Sequence, residues 1–192
     1  MQKVNRVKKL KKDIINIGEL LWQKELVAAC SGNISLRKDR KNILITTHNC
    51  CLGMLCENDI TQISLYGKIN GHKQTTMEKP VHMAIHRNFF NVAVIHAHPA
   101  FTTGYFTVCN KLDCLTFESR ILLGDAPCIN QYKETITNLG QVIKALKKSK
   151  IVVLKRHGVI AIGDSPCEAF FRIQLLEDAV KINLAAKIFS KK

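Results

Sequence analysis

Long hydrophobic runs are missing from this sequence, and proline is scarce, with four residues in 192. No apolar stretch approaches the roughly 20 residues that a membrane-spanning helix needs, so we expect no membrane partner. The N-terminal region is rich in lysine but is not followed by an apolar signal core, which predicts a cytoplasmic protein. The length suffices for a substantial core, and we expect residues 1–192 to form a single domain.

Paired cysteine motifs are also missing. None of the eight cysteines belongs to a C-x-x-C pair, which argues against a zinc ribbon or a thioredoxin-like protein. In a reducing cytosol we expect all of them to be free thiols. They are Cys30, Cys50, Cys51, Cys56, Cys109, Cys114, Cys128 and Cys167.

Acidic residues are few, 15 against 29 lysines and arginines, and the formal net charge is +14. Such a charge raises the possibility of a nucleic-acid partner. Aromatic residues make up only 6% of the chain and are not interleaved with the lysines, which concentrate towards the two chain ends. We therefore predict no nucleic-acid partner, and we expect the positive field to favour an anionic small substrate.

Two histidines at the end of an apolar strand pattern are the most informative feature that is present. His96 and His98 follow the run 92–95 and precede Pro99. Side chains of a strand alternate between faces, so an i, i+2 pair points the same way. His157, before Gly158, ends a second apolar run. Three neutral imidazoles suit zinc or another divalent metal and leave a coordination position open for chemistry.

A second histidine pair lies on a predicted helix that begins near Glu78. His82 and His86 form an H-x-x-x-H pattern, but Met83 stands where a metalloprotease H-E-x-x-H motif has its glutamate. We interpret this pair as helix packing residues. Glu78 is the carboxylate best placed to act with the metal, although a glutamate in a first turn also complements the helix dipole.

Hydrophobic periodicity predicts helices at both ends of the chain and strands between them. The predicted helices cover residues 4–28, 78–88, 134–148 and 165–189, the last with Ser165 as its N-cap. The predicted strands cover 34–36, 42–46, 61–65, 92–98, 151–155 and 159–162, and Tyr66-Gly67-Lys68 is a predicted turn. Short connections favour antiparallel pairing. We predict an α/β fold with three α/β/α layers and a largely antiparallel or mixed central sheet.

Five segments, in register, resemble the class II aldolase/adducin family. They are 31–35 (Ser-Gly-Asn-Ile-Ser), 43–46 (Ile-Leu-Ile-Thr), Glu78 with 82–84 (His-Met-Ala), 93–98 (Ala-Val-Ile-His-Ala-His) and 157–161 (His-Gly-Val-Ile-Ala). The resemblance implies that His96, His98 and His157 bind zinc and that Glu78 is a further metal ligand and the catalytic acid/base. It also implies a homotetramer of C4 symmetry with active sites at subunit interfaces.

The resemblance further assigns phosphate-binding positions. Gly32 and Asn33 keep the family pattern, whereas the second loop, usually Thr-Pro-Thr-Gly or Thr-Pro-Ser-Gly, has His48 and Asn49 in its last two places. The third loop carries Thr76 and Met77 before Glu78. The resemblance also implies that a tyrosine which assists proton transfer in aldolases of the family would fall near Phe117, which has no hydroxyl.

The function implied is an aldolase that cleaves a small sugar phosphate, such as L-fuculose 1-phosphate, by stabilising an enediolate on a divalent metal. An epimerase or dehydratase of a pentulose phosphate, using the same metal site, is the alternative. A non-enzymatic binding module, like the adducin heads, is the third reading. It is disfavoured because the three imidazoles and the glutamate are all present.

Overall fold

The computed structural model describes residues 2–66, 69–70, 74–90 and 92–190. Its eight strands are β1 (Asn33–Arg37), β2 (Asn42–Thr46), β3 (Ile60–Ser64), β4 (Ile69–Asn70), β5 (Ala93–Ala97), β6 (Cys128–Asn130), β7 (Ile151–Lys155) and β8 (Gly158–Gly163). Its α-helices are α1 (Gln2–Gln23), α2 (Lys79–Asn88), α3 (Ala100–Val108), α4 (Leu139–Leu146) and α5 (Pro166–Phe189). Short 3-10 helices cover Leu52–Met54 and Glu57–Asp59, and a π-helical turn covers Ser119–Leu123.

The strands form one sheet in the order β4-β3-β2-β1-β5-β8-β7-β6. Every neighbouring pair is antiparallel except β6 and β7, which are parallel. The sheet is therefore mixed but largely antiparallel, as predicted. The centre of the sheet is the β1-β5-β8 segment, where β5 has a partner on both sides.

Helices cover both faces of this sheet. One core cluster joins α1, α3 and α5 to the first face, and a second joins α2 and α4 to the other. Along β5, Ile95 belongs to the first cluster and Val94 to the second, so His96 lies on the same side as α2. The predicted three-layer α/β/α fold is confirmed, and it brings the start of α2 to the histidine strand.

Helix α1 ends at Gln23, ahead of the predicted end at residue 28. Glu25 adopts a positive φ of 56°, and the Leu26 N–H donates to the Leu21 carbonyl at 2.9 Å. This six-to-one hydrogen bond around a left-handed residue is the Schellman arrangement that closes helices. Leu26 and Val27 then turn back into the core, where both are buried.

The predicted helix over 134–148 is shorter, since α4 covers only Leu139–Leu146. Ile136 is buried in the core, and its backbone N–H donates to the Glu78 carboxylate, which holds residues 134–138 in a loop beside α2. Helix α3 and strands β4 and β6 were not predicted. In the predicted turn Tyr66-Gly67-Lys68, the last two residues lie outside the described part of the chain.

The capping prediction at the C-terminal helix is confirmed. The Ser165 hydroxyl accepts a hydrogen bond from the Glu168 N–H at 3.2 Å, and Pro166 occupies the first turn. Among the described residues, no helix is both long and apolar enough to cross a membrane.

Candidate metal centre and substrate pocket

Three imidazoles converge where β5 ends beside the β7–β8 turn. His96 lies on β5 and pairs with Ile160 of β8, while His157 occupies the turn that leads into β8. One ligand nitrogen from each of His96, His98 and His157 lies within 4.8 Å of the others. The ring centroids are 4.6 to 5.1 Å apart. Residues from two distant segments of the chain thus present nitrogens to one point.

The glycine after His157 has a packing reason. A Cβ at position 158 would collide with the carbonyl oxygen of Ala97 and lie 3.3 Å from Nδ1 of His98. Only glycine lets β8 approach the end of β5 this closely. The His157-Gly158 pair therefore sets the distance between the two histidine-bearing segments.

The histidines are held in the neutral form that binds metal. Nδ1 of His96 donates to the Val159 carbonyl at 2.9 Å, which leaves the Nε2 lone pair directed at Nε2 of His157, 3.1 Å away. Burial lowers the pKa of His96 well below its ordinary value. Burial, and then the nearby His157, lower the pKa of His98 to about 4. At neutral pH these rings offer lone pairs to a cation.

Glu78 stands at the start of α2 and faces this cluster. Its side chain is mostly buried, with Oε1 3.9 Å from Nε2 of His157, and Oε2 accepts from the Ile136 N–H at 3.4 Å. Burial raises the pKa of Glu78, and burial lowers the pKa of His157. Both shifts disfavour charge, so this contact is not a salt bridge between ions. A bound cation would stabilise Glu78 as a carboxylate and His157 as a neutral imidazole, which are the forms that coordinate metal.

Gly32 and Asn33 lie against the histidine strand. Gly32 has a φ of 83°, and a Cβ there would lie 3.0 Å from the His96 carbonyl oxygen. Asn33 pairs with His96 in the sheet, and its Nδ2 donates to Thr76 Oγ1 at 3.0 Å. The predicted residues Gly32, Asn33 and Thr76 are thus brought to the same end of the sheet as the imidazoles.

The other predicted phosphate-binding residues, His48, Asn49 and Met77, are held by fewer contacts than Asn33 and Thr76. The His48 N–H donates to the Gln74 carbonyl at 2.9 Å, so the two outer loops run side by side. Asn49 adopts a positive φ of 55° and is exposed, and Met77 is 54% exposed. Neither side chain makes a hydrogen bond within the described residues. Phe117 is exposed in the segment before the π-helical turn.

A polar cleft beside His157 was not predicted. It encloses about 830 Å³ and carries the cations of Lys133, Lys155 and Arg156 together with the phenol of Tyr132. Residues 134 and 135 belong to the predicted helix over 134–148, and residues 131–133 carry no predicted element or site.

Comparison with known proteins agrees with this architecture. The family described as "Class II Aldolase and Adducin N-terminal domain" matches residues 12–184. An L-fuculose phosphate aldolase of Methanococcus vannielii is 31% identical over 181 residues, which cover 94% of this chain and 98% of that protein. The chain therefore belongs to the class II aldolase and adducin family.

A further relative and a solved structure are also similar to this chain. A 3-oxo-tetronate 4-phosphate decarboxylase of Pectobacterium atrosepticum is 24% identical over 88% of this chain and 81% of that protein. The crystal structure of an L-fuculose-1-phosphate aldolase from Thermus thermophilus has a TM-score of 0.87 at 24% identity, covering 97% of this chain and 99% of that one. The fold prediction is confirmed by this structural match.

Proposed function

We propose that this chain is a divalent-metal-dependent aldolase that cleaves a small sugar phosphate such as L-fuculose 1-phosphate. The observation that carries the proposal is the convergence of one nitrogen each from His96, His98 and His157 within 4.8 Å. Three imidazole ligands with a carboxylate nearby suit zinc and leave room for a substrate oxygen. Glu78 is proposed as a fourth ligand before substrate enters.

A cation bound there would act as a Lewis acid and stabilise negative charge on substrate oxygens. Retro-aldol cleavage breaks the bond between C3 and C4: the C4 hydroxyl becomes an aldehyde as its proton passes to the Glu78 carboxylate, and C3 keeps the electron pair. Glu78 is then proposed to deliver that proton to C3. Burial raises the pKa of Glu78, which suits a carboxyl group that takes up a proton and releases it again.

The phosphate of the substrate is proposed to bind beside β1. Gly32 and Asn33 supply a backbone turn and an amide, and Thr76 supplies a hydroxyl. His48, Asn49 and Met77 complete the proposed loop set, in which His48 and Asn49 replace the hydroxyl and glycine of the family pattern. A homotetramer with interfacial sites and a cytoplasmic location are proposed with this function.

The decarboxylase relative favours a second candidate, a reaction on another sugar phosphate or sugar-acid phosphate at the same site. The deciding experiment incubates the zinc-loaded chain with L-fuculose 1-phosphate and follows dihydroxyacetone phosphate. We expect its formation, and loss of the activity after chelation. Conversion without dihydroxyacetone phosphate would instead indicate an epimerase or dehydratase, and release of carbon dioxide from a keto-acid phosphate would indicate a decarboxylase.

A further inference from the structure

Three buried polar side chains between β1 and α2 have no part in the metal centre. Ser35 and His82 are fully buried, and His86 is 1% exposed. Ser35 Oγ lies 2.6 Å from Nδ1 of His82 and 2.8 Å from Nε2 of His86. Burying such groups is costly unless each is hydrogen-bonded, so their arrangement calls for a physical reason.

The directions of these hydrogen bonds follow from Asn33. Its Oδ1, which can only accept, lies 2.5 Å from Nε2 of His82, so that nitrogen carries the proton. Burial lowers the pKa of His82 to about 3, and the ring is neutral with Nδ1 as an acceptor. The Ser35 hydroxyl therefore donates to His82 and accepts from Nε2–H of His86. Nδ1 of His86 is left without a proton, and it is a buried atom with no partner among the described residues.

The chain of hydrogen bonds ends at Thr76. Thr76 Oγ1 accepts from Nδ2 of Asn33 at 3.0 Å and from the N–H of Glu78 at 3.3 Å. Both lone pairs are thus occupied, and its own proton has no acceptor within the described part of the chain. A hydroxyl fixed in this way can only donate, which is the requirement for contact with an anion.

We propose that Ser35, His82 and His86 form a positioning relay that holds Asn33 and Thr76 ready to bind the substrate's phosphate. The inference rests on the proposed function in taking phosphate as the ligand. The relay sets the amide orientation of Asn33 from its other end. Nδ1 of His86 is buried without a partner among the described residues, which favours the proton on Nε2, and donation through Ser35 and His82 then presents to Asn33 an N–H that only Oδ1 can accept. The relay is buried, and each of its groups donates a hydrogen bond to the next one from His86 to Thr76. These bonds therefore exist before any ligand binds.

Nitrogen-15 NMR of the histidine side chains, in the full chain loaded with zinc, tests the hydrogen-bond directions and requires no activity assay. Between pH 6 and 8 we expect His82 and His86 to remain neutral, each protonated at Nε2. Protonation of His82 at Nδ1 would require the opposite amide orientation and would overturn the proposal.

The positioning role is tested with Ser35→Ala, with Ser119→Ala as the matched control, since Ser119 is also buried and hydrogen-bonded but lies in the π-helical turn. For Ser35→Ala we expect the Kd of inorganic phosphate and the KM of L-fuculose 1-phosphate to rise about tenfold. Metal content and kcat should stay within about twofold of wild type, because the two hydrogen bonds that are lost, to His82 and His86, involve none of the proposed metal ligands. Unchanged phosphate affinity, or loss of metal, would overturn the proposal.

A second pair of variants covers the case in which Ser35→Ala fails to fold. His86→Gln keeps an N–H near the Nε2 position, whereas His86→Leu removes it. We expect His86→Leu to weaken phosphate binding several-fold and His86→Gln to match wild type. Equal affinities in the two variants would contradict the relay. A wild-type chain that binds phosphate but cleaves no sugar phosphate would refute the proposed function alone, because the relay is judged by phosphate affinity.

Discussion

Glu177 is a buried carboxylate that closes the N-terminus of α3, the helix that follows the histidine strand. It is 2% exposed and lies on α5. Its oxygens accept from the N–H of Phe101 at 3.1 Å and from the N–H and hydroxyl of Thr102 at 2.8 and 2.7 Å. One side chain thus ties the C-terminal helix to the segment just beyond His98.

Replacing Glu177 by alanine would leave two first-turn N–H groups and a fully buried threonine hydroxyl without an acceptor. A hydrogen bond to a charged group is worth about 1.5–3 kcal/mol, and a buried donor left without an acceptor costs about 1–3 kcal/mol. The individual bonds do not add, so we expect Glu177→Ala to lower the free energy of unfolding by about 4 kcal/mol. Glu177→Gln keeps an acceptor oxygen but loses the charge, and should lose about 2 kcal/mol.

The assay is urea unfolding of the metal-free chain, followed by circular dichroism. Asp178→Ala is the matched control, because Asp178 is the exposed neighbour of Glu177 on the same helix. Its free energy of unfolding should stay within about 0.5 kcal/mol of wild type. A loss below about 1 kcal/mol for Glu177→Ala would refute the reasoning that this carboxylate caps α3 from the core.

Three further predictions concern the site. Glu78→Gln should lower kcat by about 10²–10⁴-fold without loss of folding stability, measured by initial rates and thermal unfolding, and wild-type rates would exclude an acid/base role. Asn33→Ala should raise KM at least about tenfold, because it removes a donor to the phosphate and the bond to Thr76, and an unchanged KM and kcat would contradict phosphate binding there. The third concerns His82, whose pKa is lowered by burial to about 3, so the unfolded chain binds more protons between about pH 6.5 and 3. Stability is therefore lost as pH falls through that window, by about 2 kcal/mol per such histidine between about pH 7 and 5. A free energy of unfolding of the metal-free chain that does not change between about pH 7 and 5 would contradict this third prediction.

Much of the fold could be predicted because periodicity and burial agree in the central strands. The run before His96 alternates between the two helical layers, and β7 and β8 are apolar on both faces. The start of α5 was marked by Ser165 and Pro166. These signals depend only on residues close together in the sequence, and the alternation before His96 predicts the histidine strand correctly.

The errors arise where tertiary contacts override local pattern. Residues 134–138 belong to a predicted helix whose apolar side begins at Leu139, but the backbone N–H of Ile136 donates to the Glu78 carboxylate instead. Glu25 is not a residue that usually marks a left-handed helix end, and so the end of α1 was placed too late. Only the structure shows that His82 and His86, predicted to be packing residues, share Ser35 between them.

The candidate site was predictable in its residue types but not in its extent. The i, i+2 spacing of His96 and His98 fixes their common side, whereas the approach of His157 depends on the β5–β8 pairing. The cleft of Lys133, Lys155 and Arg156 has no local signature because its members come from separate segments.

Metal content of the purified chain tests the central claim most directly. After loading with zinc and removal of excess, inductively coupled plasma mass spectrometry should find about one ion per chain, and His98→Ala should retain far less, because only His96, His157 and the proposed ligand Glu78 would remain to hold the ion. His48→Ala, a histidine outside the cluster, should retain the full amount. A wild-type chain without bound metal, or His98→Ala with one ion per chain, would contradict the account.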